Sequence, residues 1–477
     1  MSNYLLVLLF LVAFVSRAAV AQLAPAVSGD WEIYHLVASN IFANQCVSLS
    51  LPESEACTPH WGGNQLPGFP AFIALTWLFT TKAWWPVAIL HSGLCAVAIS
   101  YCSAALDRHL GSRIVALSCG LVLAASPLTI PWARYTLTET LALSATIWIF
   151  AELIRSLNEE RLRVIPLAVA VSIGIFIRYD TVMMAVPIAL IAFHIHPVRQ
   201  AILKGAILAS IVALPLAVWS LRSANLGLGY LPNVYFASSG FAMPKGYLRW
   251  GKTWATSQYQ APDWFYPIHK ASYSQIKISE SAFNNAEEKA KVVELLALAA
   301  AYDGKPFPKH IDREFAKLSI ARINNAPFRY WIWLPLKRTA INWWNPKNSA
   351  GWPVATNTTT YETQPPKLVE LALKNPLSAF VKIMTSIYRC LLGVLAIAAA
   401  IWLIGHRTFL EAPIVWAAAS YAVARSLFMG WGFFMESRYL LEAIPLLEIA
   451  IVIAVLAWHR EKRAPTRMLL KPGSPLT

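Results

Sequence analysis

Residues 29–40, Gly-Asp-Trp-Glu-Ile-Tyr-His-Leu-Val-Ala-Ser-Asn, follow the first long apolar run and hold two carboxylates, Asp30 and Glu32. A run of about 20 apolar residues crosses a bilayer, and 3–24 is of that length. Asp30 therefore emerges just beyond the hydrocarbon edge. A carboxylate there stays ionised yet can face the interior of a helix bundle, where acids are usually functional. Ionised, it can take a proton from a hydroxyl. Position alone leaves a second reading equally open: the two acids mark the water boundary and cap the next helix.

The same question attaches to Arg134, Glu139, Arg178, Asp180, Glu436 and Arg438. Taken singly, Arg134 and Glu139 make a helix-end pair worth under about 1 kcal/mol. Arg178 reads as a snorkelling side chain, and Arg438 as an interfacial anchor. Whether they share a site depends on the elements that carry them.

Those elements are apolar helices. Of 477 residues, 57% are hydrophobic and 14% charged, with a mean hydropathy of +0.49. Soluble domains carry about 25% charged residues, so the chain reads as an all-α polytopic membrane protein. Many of its 20 Trp flank the apolar runs, as at bilayer interfaces. The formal net charge of +15 fits cytoplasmic loops beside lipid phosphates better than nucleic acid, so no nucleic-acid partner is expected.

Ten spans are expected, at 3–24, 86–106, 114–132, 140–154, 164–177, 181–195, 201–221, 379–404, 412–428 and 439–458, on a span of about 20 residues. A polar loop at 25–65 and a short juxtamembrane helix opened by Pro67 and Pro70 lie between the first two. No span-length run occurs between 222 and 377, where Trp, Tyr and Phe recur and 282–302 and 311–324 have helical spacing. This divides the chain into an N-terminal transmembrane module, 1–221, whose first outer loop at 25–66 carries the acids; an α-rich extracytoplasmic domain, 222–377; and a C-terminal module, 378–477, with a basic cytoplasmic tail. Arg108, Arg113, the arginines at 155–163, Arg199, Lys204, Arg407 and 460–467 then fall on one side. That is the cytoplasmic side, with both termini, as expected of a multi-pass protein of a bacterial inner membrane. Asp30, Glu32, Arg134, Glu139, Arg178, Asp180, Glu436 and Arg438 all reach the opposite rim. Such convergence points to a site for a charged, membrane-embedded ligand.

Of six cysteines, four lie in apolar runs, while Cys46 and Cys57 share the first polar loop. A disulfide between them is expected if that loop faces an oxidising compartment. No His-x-x-x-His or Cys-x-x-Cys is present, so neither metal nor cofactor is expected.

Five short patterns then resemble one family. Asp30…Tyr34-His35…Ala38 follows the first span, and Pro67-Gly68-Phe69-Pro70 opens the juxtamembrane helix. Ala133-Arg134…Glu139, Arg178-Tyr179-Asp180 before Pro187, and Arg438-Tyr439…Pro445 complete the set. In this order they resemble the GT-C superfamily of polyprenyl-phosphate-sugar-dependent glycosyltransferases, nearest the protein O-mannosyltransferase and aminoarabinose-transferase group. The resemblance covers about 1–200 and 425–460. It departs where the family's adjacent Asp-Glu pair is here Asp30-Trp31-Glu32.

The resemblance implies transfer of a sugar from a polyprenyl-phosphate donor to a lipid, polysaccharide or protein hydroxyl, at a periplasmic active site among membrane lipids. Asp30 and Glu32 are the candidate catalytic acids, Asp30 as base. Tyr34, His35, Arg134, Glu139, Arg178, Asp180, Arg438 and Tyr439 are candidates to bind substrate, Arg438 holding the donor phosphate, since arginine suits bidentate phosphate contact. One base without a nearby nucleophile implies single displacement with inversion. The rival reading is a secondary transporter or flippase for a lipid-linked anion, with the charged rim as its gate. Trp331, Trp333, Trp343 and Trp344 read either as sugar-stacking or as interfacial residues.

Overall fold

The computed structural model describes residues 1–25, 29–50, 57–60, 62, 66–228, 230, 241–257, 260–344, 351–352, 368–406, 409–432 and 436–463. Among them the chain is all helical, apart from one isolated bridge between Ser48 and Pro59. The expected basic tail lies outside the described residues from 464 onward.

The first half runs α1 (Asn3–Leu23), α2 (Gly29–Asn44), α3 (Gly68–Trp77), α4 (Trp84–Leu110), α5 (Arg113–Ala124), α6 (Thr138–Asn158), α7 (Val164–Ile177), α8 (Ala185–Ile195) and α9 (Val198–Asn225). Then come α10 (Lys245–Gly251), α11 (Ala261–Trp264), α12 (Tyr266–His269), α13 (Ala286–Ala300), α14 (Lys309–Asn325) and α15 (Leu334–Trp343). The chain closes with α16 (Leu368–Lys374), α17 (Pro376–Gly405), α18 (Ala412–Gly432) and α19 (Ile444–Arg463).

Seven stretches among the described residues are long and apolar enough to cross a bilayer: α1, α4, α6, α9, α17, α18 and Arg438–Lys462. The chain is an integral membrane protein. The other three expected spans are helical but shorter. The apolar run 114–132 is interrupted because α5 stops at Ala124; Pro127 and Pro131 follow, and a proline supplies no N–H to continue the ladder. Likewise 164–177 and 181–195 form α7 and α8, joined by a 3₁₀ turn at Tyr179–Met184.

The largest difference from the sequence reading is α2, a helix inside the segment read as a polar loop. Trp31, Tyr34, Ala38, Ile41 and Phe42 recur at helical spacing and pack with Phe69, Ile73, Ala74 and Trp77 of α3 in one cluster. Asp30 and Glu32 occupy its first turn, where the helix dipole favours negative charge.

The main core is built from α1, α4 to α9 and α17 to α19. Within it α4 lies between α1 and α6, and α18 packs on α8, α15 and α19. A second core, holding Tyr247, Trp250, Trp254, Trp264, Val292, Leu295, Ile311 and Phe315, occupies the stretch between α9 and α15. Buried Arg338 of α15 ties the two together. It donates to the carbonyls of Ala255 at 2.9 Å, Lys252, and Gly430 at 3.3 Å on α18. Helix ends opposite the charged rim are also pinned, by Arg163 on Glu152 at 2.7 Å and His406 on Glu461 at 3.0 Å.

Candidate functional site

Four helix ends and two short connections meet at one end of the bundle. The first turn of α2 brings Asp30, the first turn of α6 brings Thr138 and Glu139, and the exit of α7 brings Arg178 and Asp180. The last third of α18 brings Arg425. The link into α19, which includes a 3₁₀ turn at Ser437–Ala443, brings Glu436, Arg438, Tyr439 and Glu442.

These side chains form one connected network. Arg438 Nη2 donates to Asp30 Oδ2 at 3.1 Å, and Arg438 also lies 3.8 Å from Glu139 and against Glu436. Arg178 is 3.7 Å from Glu139, 2.8 Å from Asp180 and 3.1 Å from Glu442. Its Nη1 donates to Thr138 Oγ1 at 3.1 Å. Arg425 then pairs with Asp180 at 3.0 Å and with Glu442.

The network has a buried base and an accessible rim. Arg425 is fully buried, and Glu442, Glu139, Arg178 and Asp180 are nearly so. At the rim, Asp30 is 28% exposed, Glu436 19% and Arg438 13%. Buried charges persist only when paired and hydrogen-bonded, and each basal charge meets at least two partners. The base thus fixes the geometry of the rim. Three guanidiniums face five carboxylates, a formal excess of two negative charges when all are ionised.

Aromatic rings complete the floor. The Tyr439 ring lies 5.5 Å from the Arg178 guanidinium and 5.2 Å from that of Arg438. Tyr34 is buried edge-on to Phe69 at 5.2 Å. Burial pushes its phenol well up; the charges of Asp30 and Glu139 add to this, and Arg178 and Arg438 oppose it. Burial also raises the Glu436 carboxyl, against the pull of Arg438 and with that of Asp30 and Glu139.

The expected site residues thus divide. Asp30, Tyr34, Glu139, Arg178, Asp180, Arg438 and Tyr439 come together. Glu32 lies on an exposed part of α2. His35 sits between Trp31 and Trp77, 4.8 Å from each ring centre, in the aromatic cluster rather than the charge network. Arg134 does not pair with Glu139; it donates to the carbonyls of Ala24 at 2.5 Å and Gly351 at 3.2 Å, and so buttresses the end of α1. Cys46 and Cys57 are bonded, with Cα atoms 6.5 Å apart, and close the loop after α2.

Sequence reasoning missed Arg425 and Glu442. A signal was present: each is an ionisable residue inside an apolar helix run, and such residues mark functional or paired positions. No group of three or more His, Cys, Asp and Glu side chains suited to a metal ion occurs among the described residues. The arrangement offers a half-exposed carboxylate for proton transfer beside a cation that can turn to a second anion.

No protein-family model and no curated protein matches this sequence. Among solved structures the chain is similar to the oligosaccharyltransferase of Archaeoglobus fulgidus in its apo form, with a TM-score of 0.47 and 9% identity. The likeness covers 100% of this chain and 53% of that one. At that score and identity it assigns neither fold nor activity here.

Proposed function

We propose that the chain is an integral-membrane glycosyltransferase of the GT-C type. It moves a sugar from a polyprenyl-phosphate donor to an acceptor hydroxyl of a lipid, polysaccharide or protein, on the outer face of a bacterial inner membrane. The observation that carries this reading is the Asp30–Arg438 pair at 3.1 Å, on the accessible rim of an otherwise buried ionic network. The motif resemblance supplies the donor class.

In this reading Asp30 accepts the proton of the acceptor hydroxyl as its oxygen attacks the anomeric carbon. The bond from that carbon to the phosphate oxygen breaks, and its electron pair leaves with the phosphate. Arg438 turns from Asp30 to the developing charge, giving bidentate contact to the leaving group. Arg178, held by Asp180 and Glu442, keeps Glu139 and Tyr439 in place. With no second carboxylate acting as nucleophile, displacement is direct and the anomeric configuration inverts. The 243–315 core and its α15 tether would choose the acceptor.

The test uses the full chain in lipid nanodiscs with radiolabelled polyprenyl-phosphate sugars and a panel of hydroxyl acceptors. Transfer with release of polyprenyl phosphate supports the reading. Passage of the lipid-linked sugar across vesicle membranes without turnover contradicts it and favours the transporter.

A further inference from the structure

We propose that the inward face of α17 is a binding site for the phosphate ester of a membrane lipid, with Lys382 and Arg389 as its cations. This rests on the glycosyltransferase reading and adds a donor-phosphate subsite to it.

The sequence of α17 is amphipathic in an inverted sense. Ser378, Lys382, Thr385, Ser386 and Arg389 are all buried, at spacings of three and four that put them on one helical face. Leu377, Phe380, Ile383, Met384, Ile387 and Leu391 on the remaining surface are exposed. In a bilayer the apolar side meets lipid, and the polar side turns into the bundle. Cations in such a place are costly and belong to a pathway or a ligand site.

The neighbouring groups supply little counter-charge. Thr385 Oγ1 donates back to Val381 O and Ser386 Oγ to Lys382 O, both at 2.8 Å. Arg389 Nη1 donates to Asn342 O at 3.2 Å, a neutral carbonyl. Among the described residues Lys382 has no ion pair. The rim acids are shared among Arg178, Arg425 and Arg438, and Glu448 of α19 accepts from Ser126 Oγ at 2.7 Å and from Tyr388 OH at 3.0 Å.

The ligand class follows from charge and from place. Two cations on one face call for an anion with several oxygens. About 10 Å of helix rise separates their Cα atoms, a gap that two long side chains can close around one phosphate group. The rim network alone carries surplus negative charge and would repel a phosphate ester, so cations outside it are needed to bring the donor in. Because the face opens from a membrane helix, the anion is the headgroup of a lipid rather than a free phosphate.

The experiment measures binding of radiolabelled undecaprenyl phosphate to the full chain in nanodiscs, with undecaprenol and inorganic phosphate as competitors. Lys382→Gln and Arg389→Gln should each weaken binding by about tenfold or more, the scale of one hydrogen bond to a charged group. Lys382→Arg should restore it, and Ile383→Ala, on the lipid side, should leave it unchanged. Undecaprenol should compete equally poorly in wild type and variant. Unaltered affinity in a folded Lys382→Gln protein would overturn the proposal, and displacement by inorganic phosphate at equal concentration would overturn the lipid source. Sugar transfer separates the two readings. Lys382-dependent binding without transfer by the wild type leaves the site standing and removes the enzyme. Transfer unaffected by Lys382→Gln removes the site and leaves the enzyme.

Discussion

Asp30 and Arg438 lie 408 positions apart in sequence and meet at 3.1 Å. One stands on the first turn of α2, the other in the link into α19, so the pair closes the bundle between its first and last helices. Neither is deeply buried, whereas the charges behind them are. The contact is therefore open to exchange by a ligand while its supports stay fixed.

Those supports should be sensitive to the loss of one partner. Arg425→Met leaves Asp180 and Glu442 facing each other inside the bundle without their shared guanidinium. The variant should lose about 3–5 kcal/mol of stability, the cost of stranding a buried charge. Adding Asp180→Asn and Glu442→Gln should recover part of that loss. Thermal unfolding in nanodiscs measures both, and an unchanged midpoint in Arg425→Met would contradict the tiered network.

The platform that carries Asp30 depends on one close approach. A Cβ on Gly68 would stand 2.5 Å from the Phe176 carbonyl oxygen on α7. Gly68→Ala should therefore push α3 off α7 and cost about 1–3 kcal/mol by overpacking, with partial loss of activity because α2 rides on α3. Full activity and an unmoved melting temperature would show that α3 is not held there.

Much of this was legible from the sequence, and the reasons differ by residue. The rim residues Asp30, Glu139, Arg178, Asp180 and Arg438 stand out because each is a charge at the end of an apolar run. Arg425 and Glu442 were hidden inside such runs, since hydropathy averages a single charge away over a span. The α2 helix was obscured by its polar residues, and only contact with α3 makes its aromatic spacing count. Partner choice was not legible at all: Glu139 is five positions from Arg134 yet pairs with Arg178 and Arg438, because chain proximity says nothing about helix crossing.

A pH dependence follows from Glu436. Burial, with Asp30 and Glu139 nearby, raises its carboxyl above the ordinary 4.5. Between those two values the folded protein binds more protons than the unfolded chain, so stability falls as pH rises through that window. The cost is fully present above the raised value and is relieved as pH drops toward 4.5. Unfolding midpoints measured against pH should show this slope in wild type and its loss in Glu436→Gln. Parallel curves for the two proteins would contradict it.

The disulfide gives a separate check on the loop after α2. Replacing Cys46 and Cys57 by serine should cost about 2–4 kcal/mol, as for other short closed loops, and should leave donor binding unaltered. Labelling by a membrane-impermeant thiol reagent in intact cells, after reduction, reports which side of the membrane this loop occupies. Labelling only from the cytoplasmic side would contradict an outer-face site.

The most direct measurement compares wild type with Asp30→Asn for sugar transfer from a radiolabelled polyprenyl-phosphate donor, with donor binding followed in the same nanodiscs. The account predicts transfer reduced by about 10²–10⁴-fold, the contribution of a positioned base, with the donor still bound. Turnover by Asp30→Asn at the wild-type rate would contradict it and move the base elsewhere on the rim.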